Sequence, residues 1–209
     1  MENRHTFSSW LTAVALVFLL WFSHAGGLAA AELIKLGVDH EHGIYTVRLE
    51  MELDVTADHV QRVLTNYDQL HRLNPSIIES RLLSSPDDEV VRVFTRMKSC
   101  VLFFCSGFTR VEDVYQSASG DLLAVIVPGQ SDFKAGTAKW HITARGDRTL
   151  LIYEANMQPG FFIPPLIGSH LVKEVLKDEL LVSFNRIECC ASSRVQQGKN
   201  GPVEDPGIC

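Results

Sequence analysis

The chain has 209 residues, 46% of them hydrophobic and 21% charged, and a formal net charge of −6. No basic patch or stripe runs along it, which excludes a nucleic-acid footprint and disfavours anionic membrane surfaces as partners. The length suits one domain of about 150 residues with appendages.

Residues 1–31 read as a secretory signal peptide. Arg4 and the amino terminus give a positive start, and Leu11–Phe22 is an apolar run of 12 residues, short for a membrane span. Ala29 and Ala31 form a small-residue cleavage pattern, so cleavage is expected before Glu32. An uncleaved anchor is the competing reading. Either way the folded part is expected outside the cytosol, as a secreted, periplasmic protein.

Residues 32–42 are polar and are expected to form an irregular lead-in. His40 and His42 would share one face of an extended chain, but no third ligand lies near, so no metal site is assigned. From Tyr45 to Val55 the chain alternates strictly, with Val47, Leu49, Met51 and Leu53 set against Thr46, Arg48, Glu50 and Glu52. That is a strand with one buried and one wet face in an antiparallel sheet. Thr56 is a suitable N-cap for a short helix carrying Val60, Val63 and Leu64. A second helical turn is expected over Asp68–Leu73, closed by Asn74-Pro75.

Further strands are expected over 77–83, 89–98, 108–115, 122–127, 133–144 and 149–157, with Gly146-Asp147 as a hairpin turn. Pro164–Glu188 then reads as one long amphipathic helix. Leu171, Val172, Val175, Leu176, Leu180, Phe184 and Ile187 recur at helical spacing, and the paired prolines Pro164 and Pro165 mark its start. Residues 191–209 are rich in Ser, Gln, Gly, Pro and Asn and are expected to form a disordered tail.

The predicted fold class is α+β: a curved antiparallel sheet of six to seven strands on a long C-terminal helix, with two short helices after the first strand. Local features point the same way. They are Val55-Thr56-Ala57-Asp58-His59-Val60, Leu64-Thr65-Asn66-Tyr67-Asp68, Leu73-Asn74-Pro75, Gly136-Thr137-Ala138-Lys139-Trp140 and Asp147–Glu154. In this order of elements the chain resembles the START-like (SRPBCC) superfamily of polyketide cyclases and lipid carriers, near its coenzyme Q-binding branch. The resemblance spans about Gly43–Glu188, within a domain taken as 43–190. It implies a helix-grip fold that binds a hydrophobic small molecule or lipid between sheet and helix.

No catalytic constellation is visible, and no cofactor is expected: the chain has no G-x-S-x-G, G-x-G-x-x-G, Walker or H-E-x-x-H motif. His141 and Glu154 fall out of phase with Trp140 and Tyr153 and are expected to face water. Asp132 and Lys134 are read as an exposed ion pair. The candidate ligand-binding residues are Trp140, Tyr153, Met157, Phe161, Phe162, Leu171, Val172 and Val175. Large rings and a pliant thioether suit an apolar guest.

Of five cysteines, Cys100 and Cys105 flank a four-residue apolar turn and can bridge if it ends a hairpin. One of Cys189 and Cys190 could pair with Cys209 and tie the tail back, or both could stay free. The expected role is a non-catalytic, monomeric carrier or sensor of a hydrophobic small molecule or lipid. The alternatives are a cyclase- or hydrolase-like enzyme using the same cavity, or an interaction module docking on a membrane or a partner through Val101, Leu102, Phe103 and Phe104.

Overall fold

The computed structural model describes residues 31–83, 90–101, 104–163 and 168–200. The expected leader, apart from Ala31, lies outside these residues, as do the paired prolines, the turn residues Leu102 and Phe103, and 201–209.

Among the described residues eight strands form one antiparallel sheet. In chain order they are β1 (Glu32–Glu41), β2 (Ile44–Leu53), β3 (Ile77–Leu82), β4 (Val90–Val101), β5 (Phe104–Gln116), β6 (Leu122–Ile126), β7 (Phe133–Arg145) and β8 (Arg148–Pro159). Their spatial order is β1-β2-β8-β7-β6-β5-β4-β3. Between β2 and β3 lie a short helix, α1 (Ala57–Leu64), and a 3-10 turn (Tyr67–Arg72). The long helix α2 runs over Gly168–Asn200.

The alternation in β2 sets the inner face. Tyr45, Val47, Leu49, Met51 and Leu53 are all buried, and their cross-strand partners on β8 are Met157, Ala155, Tyr153, Leu151 and Thr149. Trp140 of β7 pairs with Tyr153 and extends this face. Thr149 is a buried polar residue, satisfied because its Oγ1 donates to the Val55 carbonyl at 2.6 Å. The sheet and both helices share one core. Val60, Val63 and Leu64 of α1 meet Phe184, Ile187, Cys190 and Ala191 of α2 over the sheet.

Three expectations are corrected. The lead-in is not irregular: 32–41 form the edge strand β1, joined to β2 by the two-residue turn His42-Gly43. Both turn residues have positive φ, 50° and 80°, the geometry of a hairpin turn that a His-Gly pair does not advertise as Asn-Gly does. Exposed Leu33 and Ile34 blur the alternation, as expected of an edge strand with a bulge between Leu33 and Lys35. The sheet accordingly has eight strands rather than six or seven.

Helix α2 does not stop at Glu188, and residues 191–200 are helical rather than part of a disordered tail. Composition suggested a tail, but no proline intervenes before Pro202, and Cys190 and Ala191 are buried in the core. Finally, Thr56 sits at the N-cap with extended backbone, but its hydroxyl meets His59 Nδ1 at 2.7 Å rather than a backbone N–H.

Glu188 ties three elements together. Its Oε1 accepts the Asp54 N–H at 2.7 Å, and its Oε2 accepts the Ala31 N–H at 2.8 Å. The carboxylate thus holds the start of β1 and the β2–α1 connection against α2 with charge-assisted hydrogen bonds.

At the far end of the sheet, Cys100 and Cys105 are opposite each other on β4 and β5 and form a disulfide. Closing so short a loop contributes about 2–3 kcal/mol by chain entropy. Cys189 is exposed and Cys190 buried on α2, while Cys209 lies outside the described residues.

Candidate functional site

A cavity of about 430 Å³ lies between the inner face of the sheet, the 3-10 turn and α2. Its size falls within the range of roughly 300–1,000 Å³ usual for small-molecule sites. Two aromatic groups shape it. Trp140 and Tyr153 have ring centroids 4.3 Å apart, and Phe184 of α2 stacks on Trp140 at 5.5 Å. Phe108, Phe133 and Phe161 form a second group, with centroid distances of 5.2–5.5 Å.

Phe161 reaches that group because the chain leaves β8 at Gly160. A Cβ there would lie 2.6 Å from the Asp132 carbonyl oxygen, so only glycine fits so close a backbone approach. Phe162 also borders the cavity, yet it is 79% exposed.

Seven of the eight candidate residues line this cavity: Trp140, Tyr153, Met157, Phe161, Phe162, Val172 and Val175. Leu171 does not. It is half-buried beside the stripe, and the lining of α2 follows Val172, Val175, Leu176, Glu179, Leu180, Ser183, Phe184 and Ile187. His141 and Glu154 face outward as expected, against Asp121 and Arg48 respectively. Asp132 does not pair with Lys134. Its Oδ2 accepts the Thr109 N–H at 2.6 Å and the Thr109 hydroxyl at 2.9 Å.

His40 packs against Tyr45 with ring centroids 4.3 Å apart and the rings tilted by 30°, and His42 occupies the turn tip. Among the described residues no group of three or more His, Cys, Asp or Glu gathers to hold a metal. No helix among them is long and apolar enough to cross a membrane.

Two polar features of the cavity escape sequence reasoning. On β5, Arg110 lines the cavity, and its Nε lies 3.0 Å from Oε2 of buried Glu112, an ion pair off the in-line geometry of a hydrogen bond. Alternation conceals the pair, because residues on both faces of β5 are buried. On the other face the Ser131 hydroxyl accepts from the Val111 N–H and donates to its carbonyl, covering the strand there.

On α2, Glu179 faces the cavity, and its Oε1 accepts the hydroxyls of Ser76 at 2.8 Å and Ser99 at 2.7 Å. Here a signal was available, since Glu179 falls four residues after Val175 on the apolar stripe.

Burial pushes the Tyr153 phenol up to about 12, with Arg110 pulling it down and Glu112 pushing it up. The hydroxyl is therefore a protonated hydrogen-bond donor across the neutral range. Because its folded value is above the unfolded one, its contribution to stability is complete below about pH 10 and is lost as pH rises toward the folded value. Absorbance titration of tyrosinate should find one tyrosine ionising later than the rest, and Tyr153→Phe should remove that late step. A late step that persists in the variant would assign it elsewhere.

No protein-family model matches the chain, and no curated protein does. Solved structures do. The ZhuI aromatase/cyclase from Streptomyces sp. R1128 aligns with a TM-score of 0.60 at 15% identity, over 77% of this chain and 99% of that one. A STAR-related lipid transfer protein from Xanthomonas axonopodis aligns at 0.55 and 15% identity, over 75% and 98%. Human StAR-related lipid transfer protein 5 aligns at 0.56 and 10% identity, over 90% and 97%. The open antiparallel sheet, the long C-terminal helix and the cavity between them give this protein a START-like helix-grip fold.

Proposed function

We propose that the protein is a secreted, periplasmic carrier or sensor that holds a hydrophobic small molecule or lipid in the cavity between sheet and α2. The observation that carries this reading is the cavity itself: mostly aromatic and aliphatic walls with a few polar groups at fixed places. Apolar burial supplies affinity, and convergent polar groups orient the head of the guest. The leader-like start and the Cys100–Cys105 disulfide support an oxidising compartment. Exposed Phe162 at the cavity rim supports transient contact with the membrane from which a lipid would be drawn. The likeness to the coenzyme Q-binding branch rests on the sequence motifs alone.

Native mass spectrometry of protein secreted with its own leader should show a bound apolar guest that organic extraction releases. In a separate dye-uptake assay Val175→Asp, which sets a charge on the cavity wall, should lower uptake of an apolar fluorescent dye by about tenfold or more. Unchanged dye uptake by a folded Val175→Asp variant would remove the carrier reading. Arg110, Glu112 and Tyr153 inside the fold favour one second reading, a cyclase- or hydrolase-like enzyme in the same cavity. A guest returned chemically unchanged after incubation with the protein supports the carrier, and a converted one the enzyme.

A further inference from the structure

We infer that the guest carries a hydrogen-bond donor at its polar end, a hydroxyl, amide N–H or amine, and that Glu179 selects it against carboxylates. The inference rests on the carrier reading and names the class of its ligand.

Glu179 lies on the cavity-facing stripe of α2, between Val175 and Ser183. Both hydrogen bonds that its carboxylate accepts from the described residues, from Ser76 and Ser99, fall on Oε1. These two hydroxyls fix the carboxylate from the 3-10/β3 connection on one side and the end of β4 on the other. They leave Oε2 without a hydrogen-bond partner among the described residues. A carboxylate is an acceptor only, so what it offers a guest is a place for a donor.

The charges around it point the same way. Arg110 is the cationic side chain lining the cavity, and Glu112 already pairs with it. The other ionisable lining groups, Tyr45 and Tyr153, are neutral phenols whose ionisation burial pushes upward. The uncompensated charge facing the guest is therefore negative. An anionic head buried there would lose its hydration and meet a like charge, while a neutral or cationic donor would complete the hydrogen bonding of Oε2. This is selection by an unfavourable contact as much as by a favourable one.

The test uses three single-chain probes that share one tail, dodecanol, dodecylamine and dodecanoate, each displacing an apolar fluorescent dye from the full mature chain at neutral pH. Dodecanol and dodecylamine should each bind at least about tenfold more tightly than dodecanoate. The alcohol and amine arms separate a neutral from a cationic donor.

Glu179→Gln keeps an acceptor for Ser76 and Ser99 and removes the charge, so dodecanoate should come within about threefold of dodecanol. If the variant does not fold, the ranking in the parent decides. Dodecanoate binding to the parent as tightly as dodecanol would overturn the selection while leaving the carrier reading intact. Failure of all three probes and the dye to bind, measured directly by calorimetry, would overturn both.

Discussion

Phe184→Ala is expected to cost about 3–5 kcal/mol of folding stability. The ring is fully buried, stacks on Trp140 at 5.5 Å and meets Tyr153 at 6.2 Å. It is the place where the middle of α2 is seated on the inner face of the sheet. Truncation removes the transfer energy of a large aromatic side chain and leaves a cavity next to one that already exists. Neighbouring side chains have little to collapse onto, so the loss should fall near the upper end of that range. Urea titration of parent and variant measures it directly. A loss below about 1 kcal/mol would mean that α2 is held by its other contacts and that the aromatic group contributes little.

Arg110→Met is the second large effect, about 3–5 kcal/mol, because it leaves the Glu112 carboxylate buried and unpaired. Here the diagnostic result is rescue rather than loss. Adding Glu112→Leu to Arg110→Met should recover most of the stability, since a buried pair replaced by apolar side chains of similar volume is often neutral or better. The double-mutant cycle isolates the coupling. A double variant no more stable than Arg110→Met would show that Glu112 is not held by Arg110 and that the inner face of β5 has another balance of charge.

How far these features were legible differs from one to the next. The alternation of Tyr45–Leu53 disclosed the inner face because each buried residue has a polar neighbour on the wet side. The Cys100–Cys105 bridge followed from spacing, since a hairpin end places the two residues opposite each other. The stripe on α2 announced a partner surface before that surface was known.

Other features were hidden for definite reasons. β1 is an edge strand with exposed Leu33 and Ile34 and a His-Gly turn, so neither its pattern nor its turn chemistry was conspicuous. The last turns of α2 have a polar composition that solvent alone would leave unfolded, and they are continued by docking Cys190 and Ala191 into the core.

The sequence by itself determined the element types, the inner face of β2 and β8, the apolar stripe of α2 and the class of fold that unites them. These rest on local periodicity, which a single strand or helix carries in its own residues. Only the tertiary structure decided which partners hold the polar groups of the cavity. Arg110 pairs with Glu112 along β5, where burial of both faces hides the pair, whereas Glu179 accepts from Ser76 and Ser99 on elements distant in the chain. Burial of a charge depends on a partner, and a partner some 80 or 103 residues away leaves no trace in local pattern. The same holds for the cavity that opened as the expected space behind α2. Periodicity says that a face is covered, and only packing says whether the cover leaves room beneath it.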